Sequence, residues 1–154
     1  QTMQALGYQT AAIDWGEVYT ALQTGVVDGE AGNVIYWDYE YFRDSLDYYV
    51  QTKHFFMTGV LSMNLDSWES MSEEQQKVVS EAAIEIMNDQ FKAAKEQDEY
   101  YIAKAQEAGM EYFEPSEEQI REFAKAAREQ VWPLMEEEIG SEIMETIRSN
   151  ATPL

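Results

Sequence analysis

The residues best able to touch a small molecule crowd between positions 15 and 37: Trp15, then Gly32 with its exposed backbone and Asn33, then Tyr36 and Trp37. An indole can stack on the apolar part of a solute and offer its N–H, and an asparagine amide can donate to a carboxylate. Tyr36 and Trp37 fall in the first turn of an expected helix, where the dipole favours an anion. Each has an ordinary use as well: Trp15 as an anchor from loop to core, Asn33 as a helix cap, the aromatic pair as packing. Together this is the chemistry of recognition. Bond-making chemistry has less to stand on. The lone histidine, His54, opens an expected strand and reads as a structural, hydrogen-bonded residue. Glu136, Glu137 and Glu138 are consecutive, so they fan around a helix as a solvated face. Asp28 and Glu30 are an acid pair of the kind glycoside chemistry uses, but a two-residue separation is what a turn produces. There is no G-x-S-x-G, H-E-x-x-H, phosphate-binding loop or Gly-rich dinucleotide turn, so neither a cofactor nor a metal is expected.

The elements that must hold these residues can be read in order. Gln1–Gly7 reads as the end of a helix capped by Gly7, so the chain is expected to be a fragment of a longer fold. Tyr8–Ile13 reads as a strand delivering the chain to Trp15. Asp14 with Glu17 predicts a capping box, with Val18, Ala21 and Leu22 on one helical face and Gly25 at its end. Val26-Val27 followed by Asp28-Gly29 reads as a short buried strand running into a turn. Ile35, Tyr39, Phe42 and Leu46 recur at helical spacing behind Asn33 as cap. Tyr48–Val50 is a short extended piece. His54–Leu65, apolar on both faces, reads as the clearest strand, inside a covered sheet. Ser72 with Gln75 predicts a capped helix free of proline and glycine up to Gly109. Met110–Phe113 reads as a strand, and Ser116 with Gln119 caps the next helix. Pro133 should break that helix near Trp132, and Gly140 separates it from a last helix over 141–149.

Thirty acidic against ten basic residues give a net charge of −20, which repels phosphate backbones and anionic membranes, so nucleic acid is excluded as a partner. A solvated surface accounts for the charge, with a saline habitat as the second reading. Absence of cysteine removes disulfides and thiolate chemistry and fits cytoplasm or periplasm alike. At 154 residues and 45% hydrophobic content, one or two small domains is the bound, and no apolar window is long enough to span a bilayer.

The run W-G-E-V-Y-T-A-L-Q-T-G-V-V-D-G over residues 15–29 closely resembles the signature of the solute-binding proteins of tripartite ATP-independent periplasmic (TRAP) transporters, DctP-type family. The likeness continues through T-K-H at 52–54, D-S-W at 66–68, the long capped helix and V-W-P-L at 131–134, and covers the C-terminal half of a family member. Glu30-Ala31-Gly32-Asn33 departs from the family's Gln-Glu-Asn-like loop. The ligand-contacting asparagine of several members falls on Gly32 without a gap, and Asn33 is one place further on. The resemblance implies an α/β, periplasmic-binding-protein-like two-domain fold with a long bridging helix. Residues 1–57 would begin the second domain, 58–97 would lend a strand and the long helix to the first, and 98–154 would complete the second. It also implies a periplasmic protein, not itself membrane-inserted. Such a protein captures a small organic acid and delivers it to TRAP permease subunits, with Trp15, Gly32, Asn33, Tyr36 and Trp37 at the solute. The family's carboxylate-pairing arginine would precede residue 1. Two other readings stand beside it: a helical protein-interaction domain, against which the 54–65 strand argues, and a hydrolase using acidic residues.

Overall fold

The computed structural model describes residues 1–154. Eight helices and two short strands follow in the order α1 (Thr2–Ala5), α2 (Trp15–Gln23), α3 (Ile35–Phe42), β1 (Tyr48–Val50), α4 (Leu65–Glu69), α5 (Glu73–Glu107), β2 (Glu111–Phe113), α6 (Glu117–Gln130), α7 (Trp132–Ile139) and α8 (Ser141–Asn150).

Both side-chain capping boxes expected downstream are made. Ser72 accepts from the Gln75 N–H while the Gln75 side chain accepts from the Ser72 N–H, and Ser116 with Gln119 repeats the arrangement. These reciprocal bonds satisfy orphan donors at the start of α5 and α6, and α5 then runs for 35 residues. Pro133 sits in the first turn of α7, where its missing N–H costs nothing, so the chain bends at Val131 instead of continuing α6.

β1 and β2 pair in parallel, with Tyr48 opposite Glu111, Tyr49 opposite Tyr112 and Val50 opposite Phe113. The Tyr49 and Tyr112 rings stack at 5.8 Å across the ladder. Beside this pair, Ile35, Ala105 and Met110 form a core on which Tyr39, Leu46, Tyr49, Tyr101 and Ile102 pack. The C-terminal third of α5 is thus the wall against which α3 rests. At the other end of the chain, α7 and α8 close on buried Met144 and are tied by Arg148, which donates to both Glu136 carboxylate oxygens at 2.6 and 3.2 Å.

Three expected extended segments take other forms. Val26 and Val27 both donate their N–H groups to the Ala21 carbonyl, at 2.9 and 3.3 Å, so the backbone closes a turn after α2 and has nothing left for a ladder. Tyr8–Ile13 and residues 54–64 adopt no ladder, because no neighbouring strand lies alongside to take their hydrogen bonds. Val60 and Phe56 are consequently among the most exposed large apolar residues, at 86% and 77%. The same openness runs along α5, where Val78, Ile84, Ile86 and Phe91 face out. A compact monomer of 17.8 kDa exposes roughly 8,000 Å². This chain exposes 11756 Å², so a large apolar area of residues 55–91 has no partner within it.

Candidate functional site

The site grows from the first turns of α2 and α3. Asp14 is the N-cap of α2 with extended backbone, but its side chain makes no cap bond. The expected box with Glu17 is replaced by a backbone bond from the Glu17 N–H to the Asp14 carbonyl at 2.8 Å. Trp15 is therefore the first helical residue, with its ring directed away from the α2 axis and onto α3.

α3 divides its faces. Ile35, Asp38 and Phe42, spaced by three and four, are buried, while Trp37 and Tyr41, spaced by four, turn toward Trp15. Trp15 meets Phe42 edge-on at 5.3 Å, Tyr41 at 5.5 Å and Trp37 at 6.5 Å. Such edge-to-face pairs are worth about 0.5–1.5 kcal/mol each beyond their buried area. Three of them fix the indole while 48% of Trp15 stays open. Tyr36 lies against Trp37 at 4.6 Å and against Tyr101 of α5 at 4.7 Å, so it joins the aromatic group to the long helix.

The loop from Asp28 to Val34 supplies the polar side. Gly32 has φ +136°, a conformation that side chains with a Cβ rarely adopt. The space around it is open, so the backbone bend, not crowding, requires glycine there. Asn33 does not cap α3. Val34 occupies that position, with its carbonyl accepting from Trp37 at 2.9 Å, and the Asn33 amide donates instead to Glu30 Oε2 at 2.8 Å.

Of the five expected site residues, Trp15 and Trp37 share one aromatic group that Tyr36 extends. Asn33 enters a polar cluster of its own, and Gly32 contributes the bend between them. Two residues not selected from sequence complete the cluster. Asp38 is buried, and its carboxyl is pushed up to about 8, first by burial and then by the nearby charge of Glu30. Glu30 is also raised by burial, an effect partly offset by hydrogen bonds with Asp38 and Asn33. The signal for Asp38 was present in the sequence. It stands three after Ile35 and four before Phe42, at a core position of an amphipathic helix.

Away from this site, His54 takes a structural place, its Nδ1 2.5 Å from the Thr52 hydroxyl and its protonated form disfavoured by burial. Glu137 and Glu138 are exposed, and Glu136 is spent on Arg148. No group of three or more histidine, aspartate or glutamate side chains converges as metal ligands would, and no helix is long and apolar enough to cross a membrane.

The profile of the bacterial extracellular solute-binding proteins, family 7 (DctP), matches residues 1–138. The ectoine-binding periplasmic protein TeaA of Halomonas elongata is 27% identical over 154 residues, covering 97% of this chain and 45% of that protein. The ectoine/5-hydroxyectoine-binding periplasmic protein UehA of Ruegeria pomeroyi is 29% identical over 84 residues, 54% of this chain and 25% of that one. The solved apo-state structure of TeaA, the ectoine-binding protein of the TeaABC TRAP transporter, superposes with a TM-score of 0.75 at 29% identity. That superposition covers 96% of this chain and 49% of the TeaA chain. The chain thus spans at most about half the length of these relatives.

Proposed function

The chain belongs to the bacterial extracellular solute-binding proteins of family 7, and on that premise we propose that it contributes one side of a periplasmic solute receptor serving a TRAP-type permease. The observation that carries the reading is the half-open Trp15 ring, held on Phe42, Tyr41 and Trp37 of α3, the helix into which the polar Asn33–Glu30 loop leads. An apolar platform next to a few fixed polar groups is the recognition surface a small polar solute needs. Trp15 stacks on the solute body, Trp37 and Tyr36 extend the wall, Gly32 shapes the loop, and Asn33 supplies the polar contact. No bond of the solute is made or broken.

The organic acid implied by the family resemblance is narrowed here. TeaA and UehA are named for ectoine, a cyclic amidine that carries a cation as well as a carboxylate. Glu30 sets negative charge beside Asn33, which disfavours a plain dicarboxylate at that point. A small zwitterion is the solute class we favour. Residues 1–57 and 98–154 are assigned to one lobe and 58–97, with most of α5, to the other, so that α5 bridges them. Solute contacts made to both lobes exist only when they close, and binding shifts that equilibrium by its differential affinity.

The test is a thermal-shift screen of the full-length protein against ectoine, other zwitterions and small organic acids, with Trp15→Ala alongside. A ligand that binds only the native state raises the melting temperature. A zwitterion that stabilises the wild type and loses that effect in Trp15→Ala is the expected result. A shift that Trp15→Ala leaves intact would remove the aromatic platform from the site, and a compound consumed on incubation would move the protein to an enzyme.

A further inference from the structure

Asp38 is a buried acid with no basic partner, and its 4% exposure leaves Oδ1 without any hydrogen-bond donor. Its carboxyl meets that of Glu30, which accepts from the Asn33 amide nitrogen at 2.8 Å. Two carboxylates cannot bond to each other, since both only accept, so their contact requires one proton. That proton belongs on Asp38. Glu30 lies nearer the surface and has the Asn33 N–H to support its charge, whereas an ionised Asp38 would be a buried anion with one oxygen unpaired. The groups facing the pair reinforce this. Tyr49 of β1, stacked on Tyr112 of β2, feels both carboxyls and is itself raised, first by burial. Asp98 of α5 acts on Tyr49 as well and is itself raised by burial, and no lysine, arginine or histidine is among the groups acting on the pair. Because an ionised Glu30 accepts and never donates, the Asn33 side chain must turn its nitrogen inward, which leaves its carbonyl oxygen as the group it can offer.

We propose that Asp38 is a positioning residue of the solute site: it keeps its proton, donates it to Glu30, and through Glu30 fixes Asn33 so that the amide carbonyl accepts from an N–H donor of the solute. This rests on the solute-capture reading and refines it. Asn33 then serves the cationic end of a zwitterion, the opposite of the carboxylate contact expected from sequence. Rising pH removes the proton, sets two negative charges together in a buried space, and releases Asn33.

The experiment is carboxyl-carbon and side-chain-amide NMR of the unliganded full-length protein across pH 5 to 10, for wild type and Asp38→Asn, followed by ectoine titrations on both. Asp38 should titrate near pH 8, and the Asn33 amide signals should move with the same midpoint. In Asp38→Asn, which keeps a donor but cannot ionise, that step should vanish. Ectoine affinity of the wild type should fall about fivefold between pH 8 and pH 9, as one linked proton with a midpoint near 8 requires, and stay level in the variant. Titration of Asp38 in the ordinary carboxylate range, or an Asn33 amide indifferent to it, overturns the proposal. An intact titration with no binding of ectoine or of any other N–H-bearing zwitterion refutes the solute assignment, and with it the role given to the Asn33 carbonyl. If Asp38→Asn does not fold, the wild-type titration decides alone.

Discussion

Removing Phe42 should unseat the aromatic group and destabilise the protein together. Phe42 is 2% exposed, one of the two largest fully buried side chains, and Trp15 rests on it at 5.3 Å. A phenyl side chain buries about 150–250 Å², which at about 25 cal/mol per Å² gives a ceiling of roughly 4–6 kcal/mol. The measured cost of such truncations is about 3–5 kcal/mol, set by how far neighbours collapse into the hole. Here Trp15 and Tyr41 have open edges and room to settle, which places Phe42→Ala at the lower end, about 3 kcal/mol. For a chain of this length that is a fall of about 6–12 °C in melting temperature. Urea unfolding followed by tryptophan emission should show a lower midpoint with an unchanged m-value. Solute affinity should drop in the same variant because Trp15 loses its floor, and Phe42→Leu should recover most of both. A loss below about 0.5 kcal/mol, within the range of an unremarkable surface change, would refute the idea that Phe42 supports the platform.

Ser72→Ala removes one half of the capping box of α5 and should cost about 1 kcal/mol. Faster amide exchange confined to residues 73–76 would report it. Arg148→Ala should lower the melting temperature at neutral pH. Arg148 holds the Glu136 carboxyl below its usual range, so the pair's contribution is present above the ordinary glutamate value and disappears as pH falls through the depressed one. The difference in melting temperature between wild type and variant should therefore be full at pH 7 and shrink as the pH is lowered through the acid range. Asp38 has the opposite sign. Its raised folded-state value means stability that is complete below the ordinary aspartate range and is lost as pH rises through about 8. Wild type should melt earlier at pH 9 than at pH 6, with Asp38→Asn nearly flat.

Elements whose cause is local were legible from the sequence. The Ser72–Gln75 and Ser116–Gln119 boxes, the break at Pro133 and the ends at Gly25 and Gly140 involve residues within one turn of each other, so spacing points to them, although the equally local Asp14–Glu17 box is not made. Tyr48–Val50 and Met110–Phe113 were also found, though their parallel pairing depends on the whole of α5 returning the chain. Residues 54–64 show where the reading stops. Two apolar faces declare that a segment needs cover, but a strand exists only with a neighbour, and none lies alongside. Val26-Val27 was lost to a competitor of similar strength, the Ala21 carbonyl. At the site, aromatic residues were recognisable by type, and Trp15 and Trp37 do meet. Asn33 was misjudged because its cap role and its bond to Glu30 draw on the same side chain, and only the fold of the loop decides between them. Asp38 passed unnoticed because an acid on a helix is assumed to be solvated, although its register with Ile35 and Phe42 placed it inward.

The most direct measurement is a crystal structure of the full-length protein grown with whichever compound gives the largest thermal shift. The account predicts that compound stacked on Trp15, within reach of Trp37, and accepting no hydrogen bond from Asn33 but donating one to its carbonyl. A solute bound without contact to residues 15–37 would contradict it.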